Sequence, residues 1–139
     1  MMKRRTFISF MAGLTLLPAL ASAATVEYTP GLIKNALAEG KTVFVDYAAV
    51  WCGTCKRQER LIQQLRDRNP IYDEHLMFVR VDWDVYSDHD VTESRNIPRR
   101  STLLVLNGEE ELGRIVAGID INKIKALMDA GVAKAKEAL

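Results

Sequence analysis

Cys52 and Cys55 are the residues of this chain whose type and spacing point most directly to chemistry. They are its only 2 cysteines, and Gly53 and Thr54 separate them. In the first turn of a helix, this spacing brings two sulfur atoms close enough to form or open a small disulfide ring. A helix N-terminus also lowers the pKa of a nearby thiol, so that a thiolate is available near neutral pH. The pair therefore predicts dithiol–disulfide exchange.

A structural disulfide and a metal site are the alternatives for this pair. So small a ring constrains the unfolded chain very little, which makes stabilisation a poor reason for it. Structural zinc needs about four ligands, and only His75 and His89, both in polar segments, could join the cysteines. An acidic cluster lacks the spacing of a calcium loop and is interpreted as a solvated turn: Asp82, Asp84, Asp88, His89 and Asp90. The sequence predicts no metal site and no cofactor.

The segments on either side of Trp51 must position the cysteines. Thr42 to Ala48 is β-rich and mostly apolar, which is typical of a central strand covered on both faces. From Cys52 or Gly53 to about Arg68 the pattern is helical, and Asn69-Pro70 ends it. The reactive turn is thus expected at the C-terminal end of the first long strand, where ligand sites of open α/β sheets lie.

The other elements define the fold class. Three further strands are predicted, the last two joined by the hairpin signal Asn107-Gly108: Leu76–Asp82, Thr102–Leu106 and Glu111–Ala117. A first helix is expected after the cap Thr29-Pro30, and a last amphipathic helix after the cap Asp120. The polar stretch 84–94 should mix a loop with a short helix. The predicted class is α/β, a three-layer α/β/α sandwich with a central mixed sheet.

Composition and charge narrow the function classes. The 139 residues, 48% hydrophobic and 27% charged, suit one globular domain. The net charge is +1, and without Lys3, Arg4 and Arg5 it becomes −2, from 16 basic against 18 acidic residues. This balance excludes the basic footprint of a nucleic-acid-binding protein.

The first 23 residues have the pattern of a signal peptide. Lys3-Arg4-Arg5 is a positive n-region, Phe7 to Leu20 is an apolar segment, and Ala21-Ser22-Ala23 is a cleavage signal. The paired arginines followed by Phe7-Ile8 favour the twin-arginine route. We therefore expect cleavage after Ala23, a mature domain over residues 24–139 and a periplasmic location. The alternative, a retained anchor helix, would need most of the leader to span a bilayer.

The mature segment resembles the thioredoxin superfamily, in particular periplasmic thioredoxin-like proteins and disulfide interchange proteins. Three stretches and Gly118 carry the resemblance over about Gly31 to Leu139: Val43-Phe44-Val45-Asp46, Trp51-Cys52-Gly53-Thr54-Cys55-Lys56 and Thr102-Leu103-Leu104-Val105-Leu106-Asn107-Gly108. The resemblance implies a thioredoxin fold. It also implies that Cys52 is the exposed attacking cysteine, Cys55 the buried resolving cysteine and Asp46 a buried proton-transfer carboxylate, with Trp51 packed beside the loop.

One position departs from the family pattern. Where the family has a cis-proline facing the disulfide, this chain has Ser101, and Pro98 lies three residues earlier. Ungapped pairing of the following strand predicts that Ser101 faces the cysteines, while a shifted loop would bring Pro98 there instead. Residues around the pair are the expected substrate-binding set: Trp51, Gly53, Thr54, Arg100, Ser101 and Thr102.

Several functions remain open from the sequence. The first is a periplasmic thiol–disulfide oxidoreductase that reduces protein disulfides, because Gly53-Thr54 lacks the histidine that the resemblance associates with strong oxidants. Its implied partners are protein disulfide or dithiol substrates and a membrane electron-donor protein, and a monomer is expected. The alternatives are a dithiol oxidase or isomerase, and a non-enzymatic metal chaperone or adaptor on the same scaffold, which Ser101 keeps open.

Overall fold

A mixed five-stranded sheet forms the centre of the protein. The computed structural model describes residues 24–139, and the predicted signal peptide over residues 1–23 lies outside the described residues. The strands are β1 (Val26–Glu27), β2 (Thr42–Ala48), β3 (Leu76–Asp82), β4 (Thr102–Asn107) and β5 (Glu110–Val116). Their spatial order is β1-β3-β2-β4-β5. β1 and β2 are parallel to β3, whereas β4 is antiparallel to β2 and β5 is antiparallel to β4.

Helices connect and cover the strands. They are α1 (Leu32–Ala38), α2 (Gly53–Arg68), α3 (Ile71–His75), α4 (Trp83–Tyr86), α5 (Asp90–Glu93) and α6 (Ile121–Glu137). Over residues 24–139, no helix has the length and apolar character that crossing a bilayer requires.

The side chains of β2 alternate between two hydrophobic cores, as the period of a strand requires. Val43, Val45 and Tyr47 pack in one core with residues of α1. Phe44 packs in the other with residues of α2, α3 and α6, among them Ile62, Tyr72, Ile124 and Met128. Burial of each such large apolar side chain contributes about 1.5–3 kcal/mol. Both sheet faces are therefore covered, and the predicted three-layer sandwich is confirmed.

Most predicted elements are found within a residue or two of their expected bounds. The beginning of α1 differs: Thr29-Pro30 does not cap it, because Gly31 occupies the N-cap position with a left-handed φ of 89° and α1 starts at Leu32. β1 and α3, which are only 2 and 5 residues long, are not predicted by the sequence pattern. In the polar stretch, where one short helix is predicted, the structure has α4 and α5. The Asp120 cap is confirmed, since its carboxylate accepts from the Asn122 N–H.

Two chain segments converge at the C-terminal end of β2. On one side, the chain turns after Ala48, and the Cys52 N–H donates to the Ala49 carbonyl at 3.1 Å. On the other side, the loop before β4 is tied to β2 because the Ser101 N–H donates to the Tyr47 carbonyl at 2.7 Å. The turn before α2 therefore lies against the loop before β4.

A buried glutamine on α2 braces this arrangement. The side chain of Gln58 is fully buried, and its Nε2 donates to the carbonyls of Ser101 at 3.0 Å and Gly118 at 2.9 Å. Ala117 also donates from its N–H to the Ser101 carbonyl, at 2.8 Å. Gln58 thus connects α2 to the loop before β4 and to the segment before α6.

Gln58→Leu should lower the free energy of unfolding by about 1–2 kcal/mol, because the buried Ser101 carbonyl and the half-buried Gly118 carbonyl lose a donor. Removal of Gln58 Oε1, which has no hydrogen-bond partner in the described part of the chain, offsets part of that loss. Urea denaturation measures the difference. Gln64→Leu is the matched control, since Gln64 is exposed on the same helix and its replacement should change stability by less than about 0.5 kcal/mol. Equal losses in the two variants would contradict the bracing role.

Candidate active site

Cys52 and Cys55 form a disulfide at the N-terminus of α2, with their Cα atoms 5.3 Å apart. Cys52 is the N-cap residue in an extended conformation, and its Sγ accepts a hydrogen bond from the Cys55 N–H at 3.2 Å. A sulfur in this position replaces one of the missing intrahelical acceptors and lies at the positive end of the helix dipole. The arrangement favours a negatively charged sulfur at Cys52.

The expectation that Cys52 is exposed is wrong. Only 3% of Cys52 is exposed, against 0% of Cys55. Both cysteines belong to a small apolar cluster with Ala48 and Ala49, and Trp83 packs against it. Packing of these residues around the disulfide is the reason, so a substrate reaches only a small part of Cys52.

Ser101 faces both sulfur atoms. Its Oγ lies 3.0 Å from Cys55 Sγ and 3.2 Å from Cys52 Sγ, and the residue is fully buried. All peptide bonds within residues 24–139 are trans, and Ser101 has a φ of 64°. Pro98 is exposed, so the alternative in which Pro98 occupies this position is wrong.

Asp46 is a buried carboxyl group on β2. It is 7% exposed, and its Oδ1 has no hydrogen-bond partner among residues 24–139. The pKa of Asp46 is raised from 3.8 to about 7, chiefly by burial and next by the negative charge of Glu59, while the positive charge of Arg80 lowers it. Asp46 lines a cavity of about 510 Å³ between α2 and the sheet, together with Lys56, Glu59 and Arg80. This carboxyl group can therefore gain or lose a proton near neutral pH.

Trp51 presents an exposed aromatic surface beside the disulfide. It is 56% exposed, and its Nε1 donates to both carboxylate oxygens of Asp84 at 3.0 and 3.1 Å. The guanidinium of Arg100 lies over the ring, 4.5 Å from its centroid. The neighbouring Val50 and Val85 are also largely exposed. Trp51 thus lies beside the loop as the resemblance implies, between an anion at its edge and a cation on its face.

The other expected substrate-binding residues differ in accessibility. Gly53 is exposed with open space where a side chain would be, and Thr54 is half-buried. Thr102 is fully buried, and its Oγ1 donates to the Arg99 carbonyl at 2.7 Å. The side chain of Thr102 is therefore unavailable to a substrate, because it is buried and its hydroxyl bonds within the loop.

Two members of the acidic cluster cap short helices. Asp82 caps α4 by accepting from the Asp84 N–H at 3.0 Å, and His89 Nδ1 accepts from the Val91 N–H at 3.2 Å. In the part of the chain that the structure describes, no group of three or more His, Cys, Asp or Glu side chains could hold a metal ion.

Sequence reasoning missed Gln58, Glu59 and Arg80. Gln58 follows Cys55 by three positions and precedes Ile62 by four. This helical spacing could have predicted that Gln58 lies on the inner face of α2. Arg80 pairs in register with Asp46 across β2 and β3, a relation that needs the strand alignment and is not encoded locally.

Comparison with known proteins agrees with this geometry. The thioredoxin family model matches residues 19–130. Thioredoxin-1 of Saccharomyces cerevisiae is 30% identical over 82 residues, which cover 59% of this chain and 74% of that protein. Thioredoxin-2 of Pyricularia oryzae is 32% identical over 97 residues, which cover 70% of this chain and about half, 53%, of that protein.

Solved structures agree as well. The crystal structure of Trxlp from Edwardsiella tarda superimposes with a TM-score of 0.65 at 27% identity, covering 75% of this chain and 98% of that one. With its Cys52–Cys55 pair at the helix N-terminus, this chain belongs to the thioredoxin family and is a thiol–disulfide oxidoreductase.

Proposed function

We propose that this oxidoreductase works in the bacterial periplasm, where it reduces disulfides in exported proteins, and that a membrane electron-donor protein returns it to the dithiol state. The observation that carries the exchange chemistry is the Cys52–Cys55 disulfide with its helix N–H donor. Export is supported by the basic, apolar and small-residue pattern of residues 1–23. The reducing direction is supported by Gly53-Thr54, which places no positive charge between the cysteines.

The cycle has two exchange steps. The Cys52 thiolate attacks a client disulfide, so that a Cys52–client bond forms, the client disulfide breaks, and the departing client sulfur takes up a proton. The Cys55 thiolate then attacks Cys52 Sγ, which closes the ring and releases the second client sulfur, again with uptake of a proton. Two electrons and two protons pass from the dithiol to the client. Asp46 is the base that removes the Cys55 proton before the second step, since its pKa of about 7 suits that transfer.

The client is proposed to bind at the exposed surface beside the disulfide. Trp51 supplies an aromatic face, and Val50 adds apolar area next to it. Gly53 leaves room for a polypeptide to approach, and Arg100 places a cation against Trp51. An extended cysteine-containing segment fits this combination better than a small soluble thiol, because the surface extends beyond the sulfur pair.

A metal chaperone is the second candidate. The Ser101 oxygen lies within 3.2 Å of both cysteine sulfurs. Thiolates are ligands for soft metals. A dithiol oxidase or isomerase would use the same atoms as the reductase at a different potential.

Cys52→Ser should abolish disulfide reduction, since the attacking sulfur is lost, while Cys55→Ser should accumulate mixed disulfides because the second step has no nucleophile. The full chain is produced in a bacterial host, thiols are trapped by alkylation, and client adducts are sought in the periplasmic fraction. Full insulin-reducing activity in Cys52→Ser would sink the catalytic assignment. Adducts confined to the cytoplasmic fraction would contradict the periplasmic location but not the catalytic assignment.

Asp46→Asn should change how stability depends on pH. Because the pKa of Asp46 is raised to about 7 in the folded protein, between about pH 4 and 7 the folded state holds a proton that the unfolded chain has lost. The free energy of unfolding therefore falls as pH rises through that window and levels off above it. Asp46→Asn removes this slope and should be more stable than the parent by about 4 kcal/mol near pH 8, from about three pKa units at 1.36 kcal/mol each.

Urea denaturation of the oxidised protein at about pH 4, 6 and 8 measures this difference. The same variant should slow closure of the ring on a preformed mixed disulfide by at least about ten-fold near neutral pH, because the base is gone. Asp88→Asn, at an exposed position, is the control and should alter neither quantity. Parallel pH profiles for Asp46→Asn and the parent would contradict the raised pKa.

The redox potential decides the direction. Equilibration with glutathione or dithiothreitol buffers and alkylation trapping should give a value nearer that of thioredoxin, about −270 mV, than that of the oxidant DsbA, about −120 mV. A value near the latter would favour the oxidase. Stoichiometric copper or zinc after purification without reductant, together with no insulin reduction, would favour the chaperone.

A further inference from the structure

The Ser101 hydroxyl lies beside both of the reacting sulfur atoms. Its oxygen is 3.0 Å from Cys55 Sγ and 3.2 Å from Cys52 Sγ, and the residue has no exposed surface. A hydroxyl carries one proton and can turn it toward either neighbour by rotation about the Cβ–Oγ bond. The structure therefore places a rotatable donor within hydrogen-bond distance of both cysteines.

The backbone of Ser101 is held so that its side chain keeps this position. Its N–H donates to Tyr47, and its carbonyl accepts from Ala117 and Gln58. Its φ of 64° is a left-handed conformation that is strained for residues other than glycine. Such a conformation persists only where the surrounding contacts impose it. With its backbone groups occupied and its side chain buried, Ser101 is poorly placed to bind a client directly.

We propose that Ser101 is a further catalytic residue, whose hydroxyl donates a hydrogen bond to whichever of the two sulfurs carries negative charge during exchange. This inference rests on the proposed exchange cycle and changes the role expected for Ser101 from substrate binding to stabilisation of the thiolates. A hydrogen bond to an ionised acceptor is about twice as strong as one between neutral groups. The hydroxyl therefore stabilises a thiolate more than it stabilises the neutral sulfurs of the disulfide.

The hydroxyl follows the charge through the cycle. Before the first attack the charge is on Cys52, where Ser101 adds its hydrogen bond to that of the Cys55 N–H. After the Cys52–client bond forms, Cys52 is neutral and the proton of Cys55 leaves to Asp46. The hydroxyl then turns to Cys55, which closes the ring as the client thiolate departs. Ser101 neither gains nor loses a proton, so the balance of two electrons and two protons is unchanged.

The experiment compares Ser101→Ala with the parent in two measurements. The rate of alkylation of the reduced protein is followed against pH, and the equilibrium with glutathione is followed by thiol trapping. Loss of the hydroxyl should make the Cys52 thiolate about ten-fold less favourable, which moves the alkylation midpoint up by about one pH unit. The equilibrium constant for reduction of the disulfide to the dithiol should fall about ten-fold, which lowers the reduction potential by about 30 mV.

Matched variants separate this role from packing. Ser101→Gly also lacks the hydroxyl but suits the left-handed backbone, so it should show the same two shifts even if Ser101→Ala folds poorly. Ser94→Ala deletes an exposed hydroxyl that donates to the Asp90 carbonyl, and it should show neither shift. An unchanged midpoint and potential in Ser101→Gly, with the parent still reducing insulin, would overturn the inference and leave the proposed function standing. A parent that cannot cycle would overturn both.

Discussion

The hydrogen bond from the Cys55 N–H to Cys52 Sγ is the interaction on which the site depends. It exists because β2 ends at Ala48 and the chain reaches α2 through a short turn, which leaves Cys52 extended at the N-cap position. An ordinary N-cap oxygen would satisfy the same N–H but could not exchange disulfides. The reactive sulfur lies where the helix N-terminus needs a hydrogen-bond acceptor. The same hydrogen bond therefore caps the helix and stabilises a thiolate.

This placement requires thiolates to form and protons to move in an apolar core, where charged groups are unfavourable. The polar groups around the disulfide reduce that cost. An unpaired carboxylate in such surroundings is costly, which is why burial raises the pKa of Asp46 until a neutral and a charged form are both accessible. Gln58 is tolerated in the same interior because its amide donates to two carbonyls. The cavity beside Asp46, bordered by Lys56 and Glu59, connects the buried carboxyl group to ionisable side chains on α2.

The sequence predicted the parts of this molecule that local patterns encode. Strand β2, helix α2 and the β4–β5 hairpin follow from apolar periodicity and turn signals, and the cysteine spacing fixed the chemistry. Other features depend on contacts between distant segments. β1 is a strand only because it pairs with β3, and the left-handed backbone of Ser101 is imposed by Tyr47, Ala117 and Gln58. The burial of Cys52 likewise depends on packing that no pattern within the Cys-x-x-Cys segment reveals.

Arg100 and Ser101 are adjacent in sequence but contact different parts of the site, the Trp51 ring and the two sulfurs. Arg100 is half-buried: its guanidinium stacks on the exposed ring of Trp51, while its Nε is buried with no hydrogen-bond partner among residues 24–139. Ser101 points inward to the sulfurs. A cation buried beside the disulfide would stabilise a thiolate strongly but would lose several kcal/mol of hydration, and it would remain unpaired whenever the ring is closed. A hydroxyl avoids that cost in the closed state and still offers a proton when a sulfur becomes charged. A serine in this buried position is therefore compatible with both redox states, whereas a cation in the same position would not be.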